Sequence, residues 1–375
     1  MNRRRWVLLA TLILACGGIG TSAALRSSQA ALASGPEPAG DRYGHDGIDA
    51  TANDRAVAGG FARQDLAALV AAYAASGTSP RDTLAEATAF LRLHPEECSV
   101  LEAMFARDQS ARGRSIIVDV LASAGSREAQ LSMTRILETP AARHDPTVYR
   151  ELLGRFALVR APTEESLGYV RSVERTAELN GDAATSRSAL VTRGAILGRR
   201  MTTDPEADGE ARALLGRVER DLSEEPVEDR VALVEAVGNL AHPSASAALA
   251  PRAKEADARV RTAVARALRH EHDRGAAAVL LEMMKDGDAN VARAAIESHL
   301  GRTLSAPELE SFAALVKQNG TNAGADGALV GSIVNHATTC PAAVRSVLEA
   351  LVARAPEGTD AGNQARAALE RLPET

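Results

Sequence analysis

The densest gathering of metal-ligand residue types in this chain is His270-Glu271-His272-Asp273. Two imidazoles and two carboxylates are the donors that hold a divalent cation. Four consecutive residues rarely converge on one ion without a further ligand from a distant element. The run also falls between two helical patterns, 257–270 and 274–285, so it reads as a polar turn, with His270 near a helix C-terminus where positive charge is favoured. Tyr43-Gly44-His45-Asp46-Gly47 carries ligand types in a stretch with no apolar period. Asp286-Gly287-Asp288-Ala289-Asn290 opens like a calcium loop but lacks the downstream Gly and Glu, leaving a turn and an Asp cap. His242 stands at a turn as a cap, and His299 and His336 fall inside helical patterns as surface or core residues. The acid pairs Glu96-Glu97, Glu164-Glu165 and Glu224-Glu225 sit in first turns or helix-ending turns, where they suit the helix dipole or solvent.

Nucleophile elbow, phosphate-cradling loop and dinucleotide fingerprint all fail to match. Gly17-Gly18-Ile19-Gly20 has no strand–helix context. Cys98 and Cys340, the two cysteines of the body, form no CxxC and lie 242 positions apart. An oxidising compartment would permit a disulfide between them, but stacked repeats keep distant positions distant. Two buried thiols are the favoured reading and the pairing stays open. The expectation is a protein without catalytic residues, cofactor or metal.

The elements around these residues are helical. Aromatics are 3% of the 375 residues, so the 45% hydrophobic content is mainly Ala, Leu and Val, and strand-favouring Tyr, Phe and Trp are scarce. A net charge of −6 argues against a nucleic-acid binder, which carries a basic face. Losing Arg3, Arg4 and Arg5 with a signal segment would take −6 to −9.

Asn2-Arg3-Arg4-Arg5 followed by uncharged Trp6 to Ala15 reads as a targeting segment, expected over residues 1–25. Three fates fit. Ile13-Leu14-Ala15-Cys16 is a loose lipobox, making Cys16 a lipidation candidate. Trp6 to Leu25 is about 20 uncharged residues, enough to cross a bilayer as an uncleaved anchor. Cleavage after Ala31-Leu32-Ala33 is the third. All three place the body outside the cytoplasm, in or beyond the cell envelope of a bacterium, with N-terminal membrane association in the first two. Residues 26–60, with Ser34-Gly35-Pro36-Glu37-Pro38-Ala39-Gly40, read as a flexible linker.

From Phe61 to the C-terminus at 375, short amphipathic patterns follow one another with small or polar turns between them. They begin at caps such as Ser79 before Pro80-Arg81-Asp82, and at Pro95-Glu96-Glu97. Further patterns are expected over 146–159, 163–179, 182–200, 205–223, 226–240, 244–256, 257–270, 274–285, 288–300, 306–318, 326–338, 341–354 and 360–371. About 17 helices result, and strict alternation is missing. Asp257-Ala258-Arg259-Val260-Arg261-Thr262-Ala263-Val264 recurs as Asp288-Ala289-Asn290-Val291-Ala292-Arg293-Ala294-Ala295, from 257 to 288, a shift of 31. That is the length of one helical pair, so the fold class is all-α and the architecture an α-solenoid.

Leu233 to Pro243, with its Gly238-Asn239 turn and His242-Pro243 start, and then Val260-Arg261-Thr262-Ala263 through Arg269, resemble HEAT-type helical repeats. Val118 to Ala129 is similar to a segment of the helical module of large lipid-transfer proteins of the vitellogenin type. The resemblance implies a HEAT-like superhelix whose concave face mediates protein–protein interaction, and as an alternative a lipid- or hydrophobic-peptide-binding protein. The lipid carriers hold lipid between large β-sheets for which this chain has no room, so their cargo does not carry over. The expected function is a non-catalytic binding scaffold with a protein partner and no nucleic acid. Arg259, Arg266 and Arg293, on the helices expected to line the groove, are candidates for contacts to an acidic partner, against the plainer reading of solvated helix charges.

Overall fold

In a computed structural model, the protein is described over residues 54, 58–77, 81–107, 110–220, 222, 224–271, 273–302, 304–319, 329–330, 333–334, 336–337, 340–354 and 359–372. The targeting segment, Cys16, the Tyr43–Gly47 run and nearly all of the expected linker lie outside the described residues. Two compact units are present, Met1–Leu93 and His94–Thr375.

In the first unit, α1 (Arg63–Ser76) and α2 (Arg81–Leu93) pack together. Leu66, Leu69 and Val70 of α1 and Ala87, Phe90 and Leu91 of α2 are buried. The Phe61 and Phe90 rings lie 5.8 Å apart, and Asp65 Oδ2 accepts from Ala62 N at 2.7 Å, closing the start of α1.

The second unit carries α3 (Cys98–Arg107), α4 (Ala111–Ala124), α5 (Arg127–Glu138), the short α6 (Pro140–Arg143), α7 (Pro146–Gly154), α8 (Glu164–Leu179), α9 (Ala183–Arg200) and α10 (Pro205–Glu219). It continues with α11 (Val227–Leu240), the short α12 (Ala245–Leu249), α13 (Ala258–Ala267), α14 (Arg274–Met283), α15 (Ala289–Leu300), α16 (Ala306–Asn319), α17 (Pro341–Arg354) and α18 (Asp360–Arg371). Among the described residues there is no strand.

Most starts are set by a side chain that accepts an otherwise unsatisfied first-turn N–H. Ser110, Ser126, Thr163, Asp182, Asp204, Asp257, Asp273 and Asp288 do so for α4, α5, α8, α9, α10, α13, α14 and α15. Several ends use the left-handed region: Gly77 after α1 at φ 70°, Gly125 after α4 at φ 66° and Ala241 after α11 at φ 48°. Gly238-Asn239, expected as a turn, is instead the last turn of α11, because the chain leaves the helix only at Ala241. The helix expected over 244–256 breaks at Pro251 into α12 and a 3-10 segment, Ala250–Lys254.

Helices alternate between two rows. In the first row α3 contacts α5, α5 contacts α8, and α10, α12, α14 and α16 follow in sequence. The second row runs from α4 through the 3-10 turn Arg155–Leu158, then α9, α11, α13 and α15. Small residues allow very close approach in the second row. A Cβ built at Gly194 would collide with the backbone of Ala236, one at Gly198 would lie 2.5 Å from Leu240 O, and one at Gly238 2.6 Å from Ala267 Cα. Polar clips tie neighbouring layers. Buried Gln130 donates to Gly125 O (2.8 Å) and Ala161 O (2.9 Å) and accepts from Thr163 N (2.8 Å) and Ser166 Oγ (2.7 Å). Half-buried ion pairs join Arg155 to Asp119 (2.8 Å), Arg193 to Glu174 (3.2 Å), Arg230 to Glu255 (2.7 Å) and Arg261 to Asp286 (2.7 Å).

Candidate interaction surface

The core takes one face of each second-row helix: Val234 and Val237 of α11, Val260, Ala263, Val264 and Ala267 of α13, and Val291, Ala294 and Ala295 of α15. Helical spacing of three and four then fixes which residues remain outside. They are Glu228, Val231 and Glu235 on α11, Arg259, Thr262 and Arg266 on α13, and Asn290, Arg293 and Glu297 on α15. Between these helices lies an open pocket of about 360 Å³, whose lining includes Val231, Glu235, Arg259, Thr262, Arg266, Asp288 and Asn290.

Most of its polar groups are already engaged. Arg259 donates to Asp257 (3.0 Å) and to Glu228 Oε1 (2.8 Å), and these carboxylates hold its guanidinium above the ordinary arginine range. Asp288 Oδ1 accepts from Asn290 N at 2.8 Å as the α15 cap. Thr262 Oγ1 donates to Ala258 O at 2.8 Å. Arg293 Nη2 donates to Asn290 Oδ1 at 2.7 Å. Arg266 differs: its Nε is shielded from water and finds no acceptor among the described residues. Burial pushes the Glu235 carboxyl above its ordinary value, and Arg266 and Arg269 pull it part of the way back.

Arg259 and Arg266 therefore both border the pocket, and Arg293 stands beside it on α15. Arg259 is already neutralised by two acids of its own chain. Glu235 escaped notice in the sequence, where it is one acid among 49 Asp and Glu. The available signal was its position on the non-core stripe Glu228-Val231-Glu235. Chemically the pocket offers a guanidinium whose Nε has no acceptor among the described residues and one carboxyl in a partly desolvated setting, an arrangement that binds and orients; the Thr262 hydroxyl is spent on Ala258.

The other residues singled out by type are dispersed. His270 ends a 3-10 turn, Asp273 caps α14 through Ala276 N at 2.9 Å, and His272 lies outside the described residues. Glu271 is not a solvated turn residue: it is 4% exposed, and burial, with Asp273 adding to it, pushes its pKa up to about 7. Beside it the buried Arg302 donates Nη2 to Asp273 O at 3.0 Å while its Nε and Nη1 lack acceptors among the described residues. His299 is fully buried with its ring 5.7 Å from Phe312, and burial lowers its pKa to about 4. His336 Nε2 meets Leu300 O at 2.8 Å. His242 Nδ1 accepts from Ser244 N at 3.0 Å as a local cap. Asp286 receives Arg261 and the Asp288 N–H, an ordinary turn. No group of three ligand-type residues is arranged for a metal among the described residues. Cys98 and Cys340 are buried free thiols, and burial pushes Cys98 up to about 12. No described helix is long and apolar enough to cross a membrane.

Residues 212–301 match the family model described as HEAT repeats. No curated protein matches significantly. Among solved structures, a lipovitellin described for its lipid–protein interactions is 16% identical with a TM-score of 0.45, over 91% of this chain and 37% of that one. The chain thus spans little more than a third of that protein's length. The CpcE–CpcF phycocyanin lyase complex of Nostoc sp. is 15% identical, TM-score 0.38, over 74% and 94% of the two chains. Human deoxyhypusine hydroxylase is 15% identical, TM-score 0.30, over 82% and 96%. Within two stacked rows of short helices, residues 212–301, which take in α11 to α15, are HEAT-type helical repeats.

Proposed function

We propose that the protein is a non-catalytic binding scaffold that works outside the cytoplasm and engages a protein partner along the outer side of its second helical row. One observation carries this reading: the pocket between α11, α13 and α15 is lined by Arg266, whose Nε finds no acceptor among the described residues. A buried donor without a partner is costly, and a partner that supplies the acceptor recovers that cost. Stacked helical pairs leave long faces suited to extended partners. The lipid-binding alternative needs an apolar channel, whereas α9, α11 and α13 meet at backbone contact and the pocket is rimmed by charge. The extracytoplasmic placement draws on Arg3-Arg4-Arg5 and the apolar run after them.

Photo-crosslinking from the native envelope tests the scaffold. A photoreactive side chain at exposed Asn290 is expected to capture a protein of defined mass, and one at exposed Glu282 of α14, on the first row, to capture none. Equal capture at both positions, or at neither, counts against the assignment. Stoichiometric lipid in the same sample, found by mass spectrometry, would replace it with the lipid reading. The intact mass of the mature chain separates the three N-terminal fates: diacylglycerol on Cys16, a retained Met1, or a shortened end.

A further inference from the structure

Which chemistry the partner brings follows from what the pocket leaves unspent. Of its cations, Arg259 is matched by Asp257 and Glu228. Of its carboxylates, Asp288 is committed to the α15 cap. That leaves Arg266 and Glu235. Among the described residues no ion pair joins these two, although Arg266 acts on the Glu235 carboxyl through space, and the Arg266 guanidinium has no acceptor for its Nε. Its planar fork suits a carboxylate, which it can grip with two parallel N–H donors. A hydroxyl or amide would answer only one of those donors. A second cation would meet Arg266 and be repelled. The volume of about 360 Å³ lies at the small end of the roughly 300–1,000 Å³ typical of ligand pockets, room for a side chain rather than a cofactor.

Glu235 sharpens the assignment. As a carboxylate it would repel an incoming one; protonated, it becomes a donor that adds to the grip of Arg266. Burial already shifts it toward the protonated form.

Resting on the scaffold reading above, we propose that this pocket seats an Asp or Glu side chain of an extended acidic segment in the partner protein, held by Arg266 with Glu235 as its gate. The mouth spans three consecutive second-row helices, so the segment would cross the layers rather than run along one helix.

The test uses the full-length chain and a fluorescein-labelled, amidated pentapeptide, Ala-Glu-Ala-Glu-Ala, followed by anisotropy, with the Gln-substituted peptide as control. Binding is expected for the acidic peptide only. Arg266→Gln should weaken it on the order of tenfold. Arg212→Gln, whose guanidinium pairs with Asp208 on α10 at 2.8 Å, should leave it unchanged. Glu235→Gln should tighten it several-fold. Equal binding of the two peptides, or an Arg266→Gln affinity equal to that of the unsubstituted protein, overturns the proposal. If Arg266→Gln does not fold, Glu235→Gln decides: tightening supports the carboxylate seat, and unchanged or weaker binding overturns it. The scaffold reading fails separately. Loss of all crosslinking at Asn290 sinks the scaffold, whereas crosslinking that survives Arg266→Gln undiminished sinks the carboxylate seat alone.

Discussion

Glu271 and His299 show how two buried titratable side chains can hide each other. The Glu271 carboxyl rises from 4.5 to about 7, so its contribution to stability is whole below pH 4.5 and is lost as pH climbs to 7. His299 falls from 6.5 to about 4, so its contribution is whole above pH 6.5 and is lost as pH drops to 4. Each is worth on the order of 3 kcal/mol. Between pH 4.5 and 6.5 the two slopes oppose one another, and the pair should contribute an almost level stability. Substituting either exposes the other. Glu271→Gln should make the melting temperature fall on acidification through this window, and His299→Leu should make it fall on going toward pH 7. Thermal melts at half-unit pH steps check both; variants that track the unsubstituted protein would show that neither group is desolvated as described. The letters His270-Glu271-His272-Asp273 show ligand types, but only packing against this turn, including Arg302 just past the end of α15, decides that Glu271 goes inside.

At the scale of elements, most boundaries were legible because their causes are local. A Ser, Thr or Asp that accepts a first-turn N–H, or a Pro that needs no acceptor, announces a start within four residues, and α8, α9, α11, α13, α14 and α15 begin within a residue of the expected place. Elements whose limits depend on tertiary packing were less legible. The short α6 was missed, and the single helix expected over 244–256 is divided at Pro251. Helix glycines illustrate the same divide. Gly194 and Gly209 look alike in sequence, yet a methyl at Gly194 strikes the Ala236 backbone, while one at Gly209 meets nothing within 4 Å. Gly194→Ala should therefore cost about 1–3 kcal/mol by overpacking. Gly209→Ala should stabilise by about 0.5–1 kcal/mol through helix propensity. Denaturant titration of the two variants reads both signs, and a Gly194→Ala protein as stable as its parent would contradict the close approach of α9 to α11.

Across the whole chain, the two-row fold was readable from the recurrence of Asp257–Val264 at Asp288–Ala295, because a shift equal to one helical pair leaves stacking as the way to bury both copies. The pocket was not readable, since it belongs to no single repeat: Glu235, Arg266 and Asn290 come from three of them. The seams repeat along with the helices. Arg230 reaches Glu255 and Arg261 reaches Asp286, each across 25 positions, and Arg259 reaches Glu228 across 31. Each layer thus presents the next with nearly the same plug and socket. Deleting residues 258–288 would join Asp257 directly to Ala289-Asn290-Val291, restoring an Asp cap followed by the same small-polar-Val order. The shortened chain should stay helical and unfold cooperatively, as circular dichroism would show, while losing the acidic-peptide affinity along with Arg266. Such a chain could gain or shed whole units by slippage of its coding sequence without inventing a new junction, and its reach along a partner would then change in fixed steps.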